Sequence, residues 1–297
     1  MKNTDKPMWL YLAPVAFTLL WAGGYSIAKL GLLYAEPMTL LAMRFGAVVV
    51  VLAPFYIVLR PALPKRLIDW VHVIVVGVLV QAVYFGFSWW AFSSGVAAGV
   101  LAIIMSLQPI LVAIFAPHLA KEKVSWARWL GLLLGLAGVL TVIGARSTIE
   151  APTVMGISSG IIGLLAMTSG VLYEKRFGVS YHPVVSNLVQ YAAGFVIVMP
   201  IAFMFESMQV EWTMELVAAL GYLVIGNSIL AMSLLLAMIR AGEVSRVSSL
   251  MFLVPPLAAL LGWFLLDEEM PPIAWAGMAV AAIGVTIATR RVKTVKI

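Results

Sequence analysis

Apolar positions run along this chain in long unbroken stretches, and polar positions interrupt them at near-regular intervals. Ten apolar segments result, at 8–33, 37–59, 70–93, 96–119, 125–145, 154–178, 183–205, 213–239, 244–266 and 272–289. The interruptions carry turn chemistry, as in Glu36-Pro37, Arg60-Pro61, Ser93-Ser94-Gly95 and Pro271-Pro272. About 20 apolar residues in a helix cross the ~30 Å of a bilayer's hydrocarbon. Backbone groups in lipid must bond within their own segment, which selects helices, and the runs do not alternate as barrel strands would. The pattern therefore predicts an all-α integral membrane protein with ten transmembrane helices.

The pattern also repeats. Sliding the chain by 146 positions, the separation of Pro37 and Pro183, brings Pro54 onto Pro200 and Pro109 onto Pro255. Glu122 falls on Glu268, Trp129 on Trp275, Gly131 on Gly277, Gly138 on Gly284, Gly24 on Gly170 and Lys29 on Lys175. No gap is needed, so the chain reads as a duplication. The copies are predicted at 8–145 and 154–290, joined by a loop at 146–153, with tails at 1–7 and 291–297. Lys2 and Lys6 ahead of the first run imitate a secretory signal. Residues 14–33 pair with 160–179 in the repeat, so the run is assigned to the fold.

Each copy holds five segments, an odd number, so the second must start on the opposite side of the membrane from the first. Inverted repeats of this kind are a common plan of secondary transporters. Charge sets the orientation. With the N-terminus in the cytoplasm, the inner loops and tails hold Lys2, Lys6, Arg60, Lys65, Arg66, Lys121, Lys123, Arg128, Lys175, Arg176, Arg240, Arg246, Arg290, Arg291, Lys293 and Lys296. The outer loops hold only Arg146 among cations, with Glu206, Glu211, Glu215, Asp267, Glu268 and Glu269. The positive-inside rule thus predicts a multi-pass membrane protein with both termini cytoplasmic.

Composition agrees: 63% of the residues are hydrophobic and 11% charged, against roughly 25% charged in soluble domains. The net charge of +6 is accounted for by these inner loops, which argues against nucleic acid as a partner. The absence of cysteine excludes disulfides and thiolate metal sites.

Leu20-Trp21 through Ala28-Lys29, followed by Met43-Arg44-Phe45, resembles the opening helices of the EamA family of the drug/metabolite transporter superfamily. Ser94 to Val139, with Pro109, Glu122, Gly131 and Gly138, resembles that family's most recognisable stretch, and Arg240 to Val285 repeats it. Length and span number also resemble the bacterial YddG-type amino-acid exporters. The resemblance implies a ten-helix inner-membrane exporter of amino acids, aromatic ones included. The superfamily's small multidrug members couple cations to protons through a carboxylate in the first helix; residues 8–33 hold no Asp or Glu.

Polar groups at mid-span point to the site, because burying them unpartnered costs a few kcal/mol. Gln81 and its repeat image Asn227 are expected at symmetry-related depths, facing a polar substrate or bonding helix to helix. Tyr84 and Ser88 share a helical face with Gln81 at a spacing of three to four. Trp21 and Tyr25 on the first segment and Tyr173 on the sixth are expected to add aromatic wall. Trp89 and Trp90, near a span end, read as an interfacial belt. Arg44, two turns into the second span, is a candidate for a substrate carboxylate, and Lys29 reads as snorkelling to the interface.

Pro109 and Pro255 read as mid-helix hinges, with Ser106 and Ser248 beside them. Gly131, Gly135 and Gly138 form a smooth stripe, repeated by Gly277, Ala281 and Gly284, for close packing within a monomer, a dimer face being the alternative. His72, His118 and His182 are too scattered for a metal, and no cofactor is expected. No phosphate-binding G-x-x-x-x-G-K-[ST] loop occurs, against ATP-driven pumping. No paired acids or activated nucleophile mark an intramembrane enzyme. The expected function is a secondary transporter exporting small metabolites, amino acids first, by alternating access. Proton-coupled drug efflux is the rival, and without a clear carboxylate inside the membrane the expected mode is facilitation.

Overall fold

The computed structural model describes residues 9–94, 96, 101, 104–119, 121, 123–146, 154–178, 181–241, 244–257, 260–261 and 271–289. Its helices are α1 (Trp9–Gly31), α2 (Pro37–Leu59), α3 (Leu67–Ser93), α4 (Ile104–Leu119), α5 (Trp126–Arg146), α6 (Val154–Phe177), α7 (Pro183–Phe205), α8 (Met214–Ala241), α9 (244–257) and α10 (Pro272–Thr289). Among the described residues the only extended pairing is an isolated bridge between Ala35 and Val210. Among the described residues six helices, α2, α3, α6, α7, α8 and α10, are long and apolar enough to cross a membrane. Ile104–Leu119, Trp126–Val142 and Val247–Leu257 are shorter apolar stretches. The third run starts earlier than its sequence limit of 70, and the eighth extends from 239 to Ala241.

Helix starts follow from local chemistry. Pro37 and Pro183 each occupy the first turn of their helix, where a missing N–H removes no helical bond. Thr213 caps α8 by accepting from the Leu216 amide at 3.2 Å. Arg60 closes α2 in the left-handed region, and Pro61 prevents continuation.

Successive helices run up and down between two ends, basal where α1 begins and distal where it finishes. Arg176, at the end of α6, donates to the carbonyls of His118 and Leu119 at the end of α4. Glu206, at the end of α7, meets the start of α2. α6 therefore begins at the distal end, opposite to α1, and the two halves run inverted. Arg60, Lys65, Arg66, Lys121, Lys123, Lys175, Arg176 and Arg240 collect basally, whereas Glu36, Glu206, Glu211 and Glu215 collect distally.

Helices pack on their own repeat images. α2 lies along α7, and α5 forms the most extensive helix pair with α10. The glycine stripes meet there. A Cβ on Gly138 would stand 2.3 Å from the Ala281 nitrogen, and one on Gly131 would stand 2.5 Å from the Ala288 nitrogen. The two stripes let backbone touch backbone inside one chain.

The distal ends of α2 and α7 are clasped crosswise. The Glu206 carboxylate accepts from the Met38 amide (2.8 Å), the Thr39 amide (2.7 Å) and the Thr39 hydroxyl (2.8 Å), capping α2. Glu36 accepts from the Ser207 amide and hydroxyl and from the Met208 amide. Glu206→Ala leaves the α2 terminus uncapped, a loss of about 1–2 kcal/mol. Amide hydrogen exchange at Met38 and Thr39 is expected to accelerate by roughly 5- to 30-fold, and unchanged exchange would show that water caps the helix as well.

The prolines sit differently from their sequence expectation. α4 is interrupted by a turn at Leu107, and Pro109 is the second residue of the segment that follows. α9 narrows to a 3₁₀ turn at Leu250–Leu253, and Pro255 is the second residue after it. Leu107 and Leu253 are images in the repeat register. Each proline thus falls in the first turn after a helix irregularity, where a residue lacking its N–H is best tolerated.

Candidate functional site

α3 and α8 each contain a π-helical stretch, Val78–Phe85 and Tyr222–Ala231. In the repeat register 78–85 falls on 224–231, so the wide turn is duplicated. Bonds from i to i+5 widen the helix locally, a feature frequent at functional sites. Here the two turns present Tyr84 and Phe85 from α3, and Asn227 and Ser228 from α8, to a side chain arriving from α2.

That side chain is Arg44, 1% exposed. Its Nε donates to the Ser228 hydroxyl at 2.7 Å and its Nη2 to Asn227 Oδ1 at 2.6 Å. The guanidinium carbon stands 4.4 Å from the centre of the Phe85 ring, a cation–π contact. Tyr191, fully buried on α7, donates to the Ser228 carbonyl at 3.2 Å and closes the polar cluster. Asn227 is anchored by its amide donating to the Leu20 carbonyl at 3.3 Å. Gly24 makes this possible, since a Cβ there would stand 2.3 Å from Asn227 Nδ2. Among the described residues no carboxylate pairs with Arg44.

Arg44 faces a cavity of about 30 Å³ in the distal half. One water takes roughly 10–15 Å³ of such a volume, so about two would fill it. Trp21, Tyr84, Phe85, Trp89 and Phe92 form the walls, and Ser88 and Asn227 add polar groups. Gly24 and Ala28 complete the lining, which has no acidic side chain.

The structure brings together Trp21, Arg44, Tyr84, Ser88 and Asn227 of the residues singled out from sequence. Gln81 is not on this wall. The π-turn breaks the α-helical spacing that would align it with Tyr84 and Ser88, and its side chain packs against Gly194 with both amide atoms unbonded. Tyr173 lies basally, its hydroxyl 2.8 Å from His72 Nδ1 and its ring beside Phe177. The side chain of Tyr25 lies outside the described residues. Trp89, expected in an interfacial belt, is 4% exposed and lines the cavity. Lys29 is exposed near the distal end of α1. Ser106 and Ser248 are buried beside the two helix breaks. No group of three metal-ligating side chains occurs among the described residues.

Phe92, Ser228 and Tyr191 were not foreseen as site residues. Nor was Glu174. It is 3% exposed and accepts from Arg240 Nε at 2.6 Å, so the expectation of no carboxylate within the bundle is corrected. In sequence it lies inside the sixth segment, directly before Lys175 and Arg176, and was not singled out; the helix runs to Phe177.

Comparison with known proteins agrees with this architecture. The model of the EamA-like transporter family matches residues 8–144 and again 154–290. The uncharacterized inner membrane transporter YedA of Escherichia coli is 24% identical over 280 residues, covering 94% of this chain and 90% of that protein. The uncharacterized transporter YvbV of Bacillus subtilis is 23% identical over 283 residues, covering 94% and 90%. A solved crystal structure superimposes with a TM-score of 0.81 at 21% identity, covering 96% of this chain and 97% of that one, and shows the same fold. With both halves matched and a multi-helix membrane architecture in place, the chain belongs to the EamA-like transporter family.

Proposed function

We propose that this transporter exports small carboxylate-bearing metabolites, amino acids with aromatic or other neutral side chains, across the inner membrane by alternating access. The basal end faces the cytoplasm, both termini lie there, and the chain crosses the membrane ten times. Arg44 carries this reading. A guanidinium stays charged in any protein environment, and a buried charge without a counter-ion is costly. Hydroxyl, amide and ring contacts compensate in part and leave the group disposed toward an anion. The aromatic wall around it suits an apolar side chain. A fixed cation in the cavity also repels cationic drugs, which disfavours drug efflux.

About 30 Å³ is too small for an amino acid, so binding requires the walls to part. Inverted halves supply that motion by exchanging their two packings. Radiolabelled amino-acid counterflow in proteoliposomes tests the substrate class, and no counterflow by any amino acid would end this reading. An imposed pH gradient is expected to drive no uphill accumulation, because the lining of the Arg44 cavity has no acid and the buried Glu174 is ion-paired with Arg240. Tyr84→Ala is expected to lower transport about fivefold to tenfold at unchanged expression.

A further inference from the structure

The repeat register relates the Arg44 cavity to a second place in the molecule. Shifted by one repeat, Gly24, Ala28, Arg44 and Trp89 become Gly170, Glu174, Gln190 and Leu235. Those four residues line a smaller cavity, of about 10 Å³, between α3, α6, α7 and α8 in the basal half. The duplicated site has kept its place in each half and changed its charge. Positions 28 and 44 are alanine and arginine; their images, 174 and 190, are glutamate and glutamine.

The open surface of the basal cavity is apolar, although two of the side chains that border it, Glu174 and Gln190, are polar. Gln190 is fully buried, and neither atom of its amide has a hydrogen-bond partner. Gln81, the image of Asn227, is in the same condition one turn away across the α3–α7 contact. Buried polar side chains are nearly always bonded. The neighbouring Glu174 carboxylate is held by Arg240, whose other nitrogens donate to the Tyr181 carbonyl (3.2 Å) and the Ser186 hydroxyl (3.1 Å). Arg240 therefore fastens the basal end while occupying the acid.

We infer that the basal cavity is a second substrate subsite, in which Glu174 and Gln190 receive the ammonium group of the amino acid whose carboxylate Arg44 receives in the distal cavity. The two cavities serve in turn as the halves exchange packings. The incoming ammonium replaces Arg240 on Glu174, so that ligand entry and opening of the basal end are one event. The carbonyl of Gln190 accepts from the same ammonium. A substrate with only one of the two charges is recognised in one half alone. This inference rests on the amino-acid reading above.

The experiment compares counterflow of radiolabelled L-phenylalanine with that of phenylpropanoate, its analogue lacking the amine, over protein-free vesicles. The wild-type protein is expected to prefer phenylalanine by about tenfold or more, in line with a charge-assisted hydrogen bond. E174Q, Q190L and the double variant E174Q/R240Q are expected to bring that preference to about threefold or less, slowing phenylalanine and sparing phenylpropanoate. R44Q is expected to slow both compounds alike. If E174Q slows both equally, or if E174Q/R240Q restores the preference, the pair is only a fastening and the inference is overturned. Equal wild-type flux of both compounds overturns it too. If the wild type moves no amino acid at all, the amino-acid reading itself has failed. Thermal melting in detergent checks folding. Should E174Q fail to fold, Q190L, which removes no charge, decides the question by the same comparison.

Discussion

Arg44→Gln reduces amino-acid counterflow by about 10- to 150-fold, the range of a charge-assisted hydrogen bond to a substrate carboxylate. Glutamine removes the charge while keeping an amide that can still meet Asn227 and Ser228, the present partners of the guanidinium. Loss of a costly buried cation does not by itself destabilise the fold, so the variant is expected to insert and melt normally. Arg44→Lys separates charge from shape. It keeps the cation and loses the planar fork that reaches two partners at once, so intermediate transport is expected. Full activity in Arg44→Gln, with wild-type substrate affinity, would show that the carboxylate is held elsewhere.

The second large effect is on stability, at the seam between α5 and α10. Gly138→Ala places a methyl group 2.3 Å from the Ala281 nitrogen and 2.6 Å from the Gly277 carbonyl oxygen. Both are backbone atoms, which cannot rotate away as a side chain tip can, so the helices must separate along their length. Overpacking costs about 1–3 kcal/mol when side chains can adjust, and this site belongs at the upper end. The melting temperature in detergent is expected to fall by roughly 5 °C or more. Gly144→Ala on the same helix has nothing within 4 Å and serves as the control. Equal melting of the two variants would mean that the seam is looser than its geometry.

Much of this architecture was legible before any coordinates. The runs gave the helices because a bilayer leaves the backbone few alternatives, and the 146-residue register announced which helices are images of which. Arg44, Asn227, Tyr84, Ser88 and Trp21 stood out because polar or aromatic groups at mid-span are costly or specific, and the structure gathers all five on one cavity. What escaped was whatever depends on departures from ideal helices. The π-turns at Val78–Phe85 and Tyr222–Ala231 leave no mark in an apolar pattern, and they take Gln81 off the face shared by Tyr84 and Ser88. Pro109 and Pro255 announced an irregularity, but not that a turn at Leu107 and a 3₁₀ turn at Leu250–Leu253 would precede them. Glu174 was hidden by its basic neighbours. Applying the repeat register to Arg44 and Ala28 would have exposed it, because the images differ in charge.

The unlike residues at those image positions have an evolutionary corollary. A carrier assembled from two separate, identical subunits inserted in opposite senses would be obliged to place arginine at both equivalents of position 44, and it would have no orientation preference to spare. Fusion into a single polypeptide lifts that obligation, leaving each copy to mutate independently and to specialise for one pole of an asymmetric cargo.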